Sequence, residues 1–429
     1  MTGRTGRAVV LLAAVATAPP LVSGVLHAAS APSLRFTEVS EAWGIDFRHR
    51  HGGTGEFFMV ETMGSGVAIF DYDGDGDPDV LFVDGGVLPG YQGDPPRTRL
   101  FRNDSVAGAP RFVDVTERAG IVVSGWGMGA VAADVDGDGH LDLYVTTFGQ
   151  RNQLFRNRGD GTFEDVSTRS GVDESLWSAS AAFGDLDGDG WFDLLSTHLD
   201  QQTNAVYGNV GGGVFVDRRF ASRLAEPSVP MVGFGVVFAD LDHDGDIDVV
   251  VANRHIIHNV ELYDRGTTFR QRNQAFANEG DGTFREVLDA GLDVVESSRG
   301  LAAGDLDLDG ALDLVVNNSN ARCEVYRNIG AAGGVLSIAL RKQRTANRDA
   351  IGARIELWRG ERVAVRELRA GSSYLSQNAL PAHFGLGRDA RVSRLVVRWP
   401  DGERIVLRDL PASQRLLLVR VPATATEAP

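Results

Sequence analysis

A nine-residue acidic loop that recurs five times constrains this chain more than any other feature. The copies begin at Asp71, Asp134, Asp185, Asp240 and Asp305. Position 3 holds Asp73, Asp136, Asp187, Asp242 and Asp307, and position 5 holds Asp75, Asp138, Asp189, Asp244 and Asp309. Position 9 holds Asp79, Asp142, Asp193, Asp248 and Asp313, and position 6 is Gly in every copy. Carboxylates clustered this way repel one another unless they share a cation. Ca²⁺ takes six to eight oxygen ligands at about 2.3–2.6 Å, and alternate carboxylates converge on such an ion when the backbone curls. Glycine at position 6 permits that curl, and a carbonyl at position 7 would help to complete the shell. Metal-free Asp/Gly turns are the alternative, but turn chemistry alone does not require four acids per loop. The expected cofactor is calcium, about five ions held by these Asp residues.

The flanks are equally regular. A small apolar run precedes each loop, as in Gly129-Ala-Val-Ala-Ala133, and a strand-like run follows, as in Leu141-Asp-Leu-Tyr-Val145. A second signature comes next: Leu100-Phe-Arg-Asn103, Leu154-Phe-Arg-Asn157, Val206-Tyr-Gly-Asn209, Ala275-Phe-Ala-Asn278 and Val325-Tyr-Arg-Asn328. A run such as Phe163-Glu-Asp-Val166 then closes the unit. Four short strands per repeat describe a β-propeller blade, with the Gly/Ala run innermost, where large side chains would clash. The fifth unit lacks its last strand, and Phe36-Thr-Glu-Val39 near the N-terminus supplies the missing pattern. That strand is expected to close the ring and remove exposed edges. Successive loops start 63, 51, 55 and 65 residues apart, so the direct count is five blades over residues 34–334. Seven blades is the alternative, if the longer intervals hide loop-free units.

Residues 335–421 break the pattern. Short apolar runs (Val335–Leu340, Ile355–Trp358, Leu395–Trp399, Ile405–Leu407, Leu416–Val419) alternate with basic and turn residues, which predicts a small antiparallel β-sandwich-like domain. Residues 422–429 read as a tail. Between Arg341 and Arg420 there are 17 Lys/Arg against 8 Asp/Glu, in a chain whose net charge is −16. A basic end fused to an acidic body suggests that the two dock on each other, or that each meets a separate partner. Residues 1–30 read as a secretory signal, with Arg4 and Arg7 ahead of the apolar run Ala8–Ala18 and small residues around Ala29. That run is shorter than the ~20 residues a membrane helix needs. Cys323 is the only cysteine, so no internal disulfide can form, and its strand-like setting suits a buried apolar role.

The loops resemble the FG-GAP/VCBS repeats of integrin-α-type propellers. The C-terminal motifs Asn347-Arg-Asp-Ala-Ile-Gly352-Ala-Arg354, Arg369-Ala-Gly371-Ser-Ser-Tyr374-Leu-Ser-Gln377, His383-Phe-Gly-Leu-Gly387 and Arg398-Trp399-Pro-Asp-Gly402 resemble the ASPIC/UnbV domain. Phe47-Arg48-His49 and Glu61-Thr-Met-Gly64 resemble the first blade of the cartilage acidic protein/ASPIC–UnbV family. What the resemblance implies is a secreted, calcium-binding propeller. Two functions stay open: an extracellular module binding a protein or polysaccharide, or an enzyme (lyase, hydrolase or cyclase) with a site on the propeller axis or at the domain junction. No nucleic-acid partner is expected. No fixed spacing links His49, His51, His198, His255 and His258, so they read as surface or packing residues. Arg158-Gly159-Asp160 lies within the turn of its own repeat and reads as structural.

Overall fold

The structure, a computed structural model, describes residues 9–15, 33–343 and 347–421, apart from 57, 107–108, 137, 149, 171–181, 185, 188, 190–192, 198–201 and 211–214. The acidic loops fall on five four-stranded antiparallel sheets, one loop to a sheet. In each, the loop joins the innermost strand to the second: Val67–Phe70 to Asp79–Phe82, Trp126–Ala133 to Asp142–Phe148, Ala182–Gly184 to Asp193–Ser196, Gly233–Ala239 to Asp248–Asn253, and Ser298–Gly304 to Asp313–Asn318. The Asn signature forms the third strand and ends at Asn103, Asn157, Asn209, Asn278 or Asn328. The fifth sheet takes its outer strand from the N-terminal segment Phe36–Glu38, with Phe36 opposite Asn328, as the incomplete last repeat predicts.

Strand periodicity explains the packing. In Asp248–Asn253, Val250 and Ala252 face one neighbouring sheet while Val249 and Val251 face the other. A strand buried on both faces reads as a continuous apolar run, which is why the alternation is invisible there. The innermost strands approach so closely that a Cβ on Gly300 would stand 2.4 Å from the Ser65 carbonyl oxygen. A Cβ on Gly66 would stand 2.7 Å from Cα of Gly129. Neighbouring sheets also bond there, the Gly66 amide donating to the Met128 carbonyl at 2.8 Å.

The C-terminal domain packs two sheets around Leu336, Ile338, Ile355, Leu357, Phe384, Leu395, Val397, Trp399 and Leu418. One sheet is wholly antiparallel: Arg362–Glu367, Arg354–Arg359, Arg391–Arg398 and Arg404–Pro411. The other is mixed, a departure from the antiparallel pattern expected. Gly334–Lys342, the strand that enters the domain, runs parallel to Gln414–Val421, the strand that ends it. The chain between them crosses to the opposite sheet and back, so both strands start from the propeller side. Val9–Val15, within the segment expected to be a signal, lies antiparallel on the outer edge of Gln414–Val421. Residues 16–30 of that segment and the tail at 422–429 fall outside the described residues. No helix among the described residues is long and apolar enough to cross a membrane.

Candidate metal centres at the domain interface

Each loop curls through its own carboxylates. Asp73 apart, the position-3 side chain accepts the amide of position 5, as in Asp244 to Asp242 at 3.1 Å and Asp309 to Asp307 at 3.2 Å. Position 5 accepts the amide of position 7, as in Asp77 to Asp75 at 2.9 Å. These turns leave other carboxylate oxygens facing inward. Ligand-capable oxygens lie within 4.8 Å of one another in Asp71/Asp73/Asp79, Asp134/Asp136/Asp142, Asp240/Asp242/Asp248 and Asp305/Asp307/Asp309. In the third loop Asp185 lies outside the described residues, so Asp187, Asp189 and Asp193 are placed without it. Asp73 Oδ1, Asp240 Oδ1 and Asp305 Oδ1 are buried with no hydrogen-bond donor. Burial, first among the causes, raises the carboxyls of Asp71, Asp244 and Asp305 to about 6 and that of Asp240 to about 7. Buried oxygens without donors, in an all-oxygen set, fit a hard divalent cation.

Position 9 does more than the sequence suggested. Its two oxygens accept the amide of loop position 2 and the amide of the third-strand Asn. For Asp79 these are Tyr72 and Asn103, both at 2.8 Å, and for Asp248 they are Leu241 at 2.9 Å and Asn278 at 3.0 Å. The Asn side chains then clamp two loops at once. Asn157 donates to Leu141 in its own loop at 3.1 Å and to Tyr72 of the first loop at 2.7 Å. Asn103 reaches Leu306, Asn278 reaches Leu186 and Asn328 reaches Leu241, each in the loop of the adjoining sheet. The Arg before Asn can cross the loop as well: Arg327 meets Asp307 at 2.7 Å and Asp309 at 3.0 Å.

The basic domain docks on the face that carries these loops. Arg415 contacts Asp305 Oδ2 at 2.5 Å, leaving Oδ1 open. The Gly385 amide donates to Asp240 Oδ2 at 2.8 Å, again leaving Oδ1 open. A Cβ at Gly385 would stand 2.4 Å from both Asp240 Oδ2 and His243 Cα, so the His383–Gly387 motif is shaped by this contact. His383 lies against His243 with ring centroids 5.1 Å apart, and its Nε2 meets the Gly310 carbonyl at 2.8 Å. Burial holds both imidazoles neutral, His243 at about 4 and His383 at about 3. A cleft of about 920 Å³ opens between the domains, lined by Asp71, Asp75, Asp138 and Asp305 on one side and Arg341 and Arg348 on the other.

From the same domain a segment runs down the propeller axis. Ser376 Oγ accepts the Val67 amide at 3.1 Å, and the Gln377 backbone pairs with Val67 and Ile69. Gln377 Oε1 accepts the Ala132 amide at 2.9 Å. Ser373 Oγ accepts the Val236 amide at 3.0 Å, and Asn378 Oδ1 the Ala303 amide at 2.9 Å. One short segment that bonds the innermost strands of four sheets can lie only where those strands meet. Its side-chain oxygens satisfy edge amides that a bare axis would leave unpaired.

Other sequence candidates separate cleanly. Cys323 is buried, and burial pushes its thiol up to about 12, which suits packing and not nucleophilic chemistry. Asp160 of the Arg158-Gly159-Asp160 tripeptide accepts the Thr162 amide and hydroxyl, so it organises its own turn. His198 lies outside the described residues. His49, His51 and His255 gather at the opposite end of the propeller, where two buried arginines, Arg254 and Arg299, escaped notice in the sequence because nothing in their local pattern marks them.

The family matches agree with this division of the chain. The family described as FG-GAP-like repeat matches residues 71–145, 134–196, 185–251 and 265–316, and ASPIC and UnbV matches 343–425. Cartilage acidic protein 1 of Homo sapiens is 28% identical over 309 residues, covering 68% of this chain and 43% of the human protein. The Mus musculus protein is 27% identical over 368 residues, covering 81% of this chain and 51% of its own length. The chain thus spans about half the length of the curated relatives it matches. Among solved structures, the BP39L lectin from Burkholderia pseudomallei aligns at a TM-score of 0.26 and 10% identity, covering 81% of this chain and 99% of the lectin. The repeat matches, which span more than half of the chain, place it in the FG-GAP-like repeat family, and its C-terminal end matches ASPIC and UnbV.

Proposed function

We propose that the protein is an exported calcium-binding β-propeller of five blades, and that calcium fastens the C-terminal domain to the loop face. The observation that carries this reading is the divided use of the position-1 carboxylates. Asp240 and Asp305 each give one oxygen to the C-terminal domain and keep the other open toward the loop centre. A cation on the open oxygens would neutralise the loop and hold these carboxylates in the geometry that Gly385 and Arg415 meet. Asp71, Asp73, Asp75 and Asp79, and their counterparts in the other four loops, would supply the ligands. Calcium would thus do the stapling that disulfides do in many exported folds. The assembly would act as an extracellular module for a protein or carbohydrate partner. Leu262 and Tyr263, each 78% exposed on the long connection between the second and third strands of the fourth sheet, offer a contact surface. An enzyme site entered from the loop face would need the axial space that Ser373 to Asn378 occupies.

A thermal melt in calcium, in magnesium and after chelation tests the metal reading. The expected result is a melting temperature raised by calcium well beyond the effect of magnesium. Identical melts in all three conditions would leave the loops as metal-free turns and overturn it. Retention of a glycan or protein ligand by the calcium-loaded chain, lost on chelation, tests the module reading separately.

A further inference from the structure

The end of the propeller away from the acidic loops holds a set of buried donors that have no acceptor among the described residues. The loops join the far ends of the innermost and second strands, so the opposite mouth is built from the start of one and the end of the other. Trp126 and Arg299 stand at the start of innermost strands, and Arg254 follows the end of a second strand. Glu61 lies in the short turn Met59–Thr62 that leads into the first sheet. His49 is anchored by its amide to the Ala321 carbonyl at 3.0 Å.

The hydrogen bonds these groups do make fix what they offer. His49 Nδ1 accepts the Asn320 amide at 3.0 Å, so the ring proton resides on Nε2, which is buried and unpartnered. Arg299 is 0% exposed; Nε and one terminal nitrogen bond the carbonyls of Thr62 and Ser298, and NH2 has no acceptor. Arg254 is 5% exposed, and its Nε and NH1 have none. Trp126 Nε1 is likewise without a partner. Both guanidinium groups rest on rings instead, Arg299 at 3.7 Å from the Phe234 centroid and Arg254 at 4.3 Å from that of Phe269. Phe234 in turn meets Tyr374, the tip of the axial segment, with centroids 5.1 Å apart.

The groups feel one another. Burial, then His51, and then the positive charges of Arg254 and Arg299 hold His49 at about 3. Burial first, and then the charge of Arg254, oppose the charge on Arg299, and the Tyr374 phenol favours it. Glu296 favours the charge on Arg254, but its Oε1 accepts from Arg270 at 3.4 Å. Burying two cations of which only Arg254 feels a carboxylate is unfavourable, and orphaned N–H donors add to that cost. Two buried carboxylate oxygens, Glu61 Oε1 and Glu296 Oε2, are also unpartnered, against five unpartnered donor atoms on Arg254, Arg299, His49 and Trp126. Donors therefore outnumber acceptors, and what the set lacks is negative oxygen.

We propose that this mouth of the axis binds a small ligand through an oxyanion group, carboxylate or tetrahedral, received by Arg254, Arg299, His49 and Trp126. Two buried guanidinium groups suit such a group by forked hydrogen bonding. Tyr374 and Phe234 form the floor against which the rest of the ligand would pack. The site lies at the end away from the acidic loops and meets the C-terminal domain through Tyr374 of the axial segment.

The test uses the calcium-loaded full chain and three salts at matched ionic strength: sodium chloride, acetate and sulfate. Acetate probes a planar carboxylate and sulfate a tetrahedral oxyanion. A saturable rise in melting temperature with acetate or sulfate, absent in Arg254→Gln and Arg299→Met and retained in Arg265→Gln, an exposed arginine on the same connection as Arg254, is the expected result. Sulfate stabilises proteins in general through exclusion from the surface, so a non-saturating rise shared equally by all variants overturns the proposal. If Arg299→Met fails to fold, titration calorimetry of the unaltered chain with both anions decides the matter: no saturable heat with either one refutes it.

Discussion

Replacing Asn328 with Ala should destabilise the protein through its neighbour as much as through itself. Asn328 is 3% exposed and ends the third strand of the fifth sheet. Its Nδ2 donates to the Leu312 carbonyl in its own loop at 3.2 Å and to the Leu241 carbonyl in the fourth loop at 2.7 Å. Its Oδ1 accepts the Gly330 amide at 3.0 Å. The same Oδ1 accepts the Ala331 amide at 3.2 Å, so truncation strands four backbone groups at a site with little solvent. An orphaned buried group costs about 1–3 kcal/mol, and partial entry of water lowers the sum, so the expected loss is about 3 kcal/mol. Urea unfolding of the calcium-loaded variant, followed by far-UV circular dichroism, gives the number. Asn328→Asp should be at least as damaging, because it keeps the acceptor but sets a carboxylate against two carbonyl oxygens. Asn103→Ala and Asn157→Ala should behave alike, since each clamps the adjoining loop in the same way. A loss below about 0.5 kcal/mol for Asn328→Ala, the range of an ordinary surface change, would refute the clamp.

Three further outcomes follow from single buried side chains and contacts. Burial raises the Glu324 carboxyl from 4.5 to about 7, so the folded state keeps a proton that the unfolded chain sheds, and stability falls as pH rises from about 4.5 to 7. Glu324→Gln should remove that loss, a gain of about 3 kcal/mol at pH 8 and almost none at pH 4; parallel pH profiles for the two proteins would contradict it. Gly385→Ala should lift the C-terminal domain from the fourth loop, because the new methyl meets Asp240 and the His243 backbone; limited proteolysis between the domains reports it, and an unchanged digestion pattern counts against the contact. Arg415→Met should widen the gap between melting temperatures in calcium and in chelator, because Arg415 is the largest opposing influence on the buried Asp305 charge; an unchanged gap would show that Arg415 and the cation do not act on the same carboxylate.

Much of the fold was legible because its signals are local. A carboxylate at every second position followed by glycine needs no partner elsewhere to be recognised, and the closing strand at Phe36–Glu38 was visible as the piece missing from the last repeat. The Asn signature was equally visible, but its role was not. The carbonyls it holds lie on the adjoining sheet, 85 residues away for Asn157 and 87 for Asn328, and a carbonyl has no residue identity to find. The parallel pairing of Gly334–Lys342 with Gln414–Val421 escaped notice for a related reason: apolar alternation fixes which face a strand buries, not which way its neighbour runs. Arg254 and Arg299 stand in runs that read as ordinary strand ends, and only the ring brings them together.

The axial segment explains why the motif Gly371-Ser-Ser-Tyr374-Leu-Ser-Gln377 has no apolar core of its own. Innermost propeller strands present unpaired amides to the axis, and water normally satisfies them. Here Ser373, Ser376, Gln377 and Asn378 bring short side-chain acceptors to Val236, Val67, Ala132 and Ala303. Larger apolar residues at those positions would fill the space and leave the amides bare. The small residues of the innermost strands serve the same arrangement from the other side: a Cβ on Gly129 would stand 2.7 Å from the Leu375 carbonyl oxygen and from its Cβ. Close approach of strand to segment and polar lining of the segment are therefore one requirement seen twice. It follows that the C-terminal domain is part of the propeller's interior as well as a cover over its loops. With the axis filled from the loop face, the chemistry left to the channel is at its far mouth, where Tyr374 ends the segment and the buried donors of Arg254 and Arg299 begin.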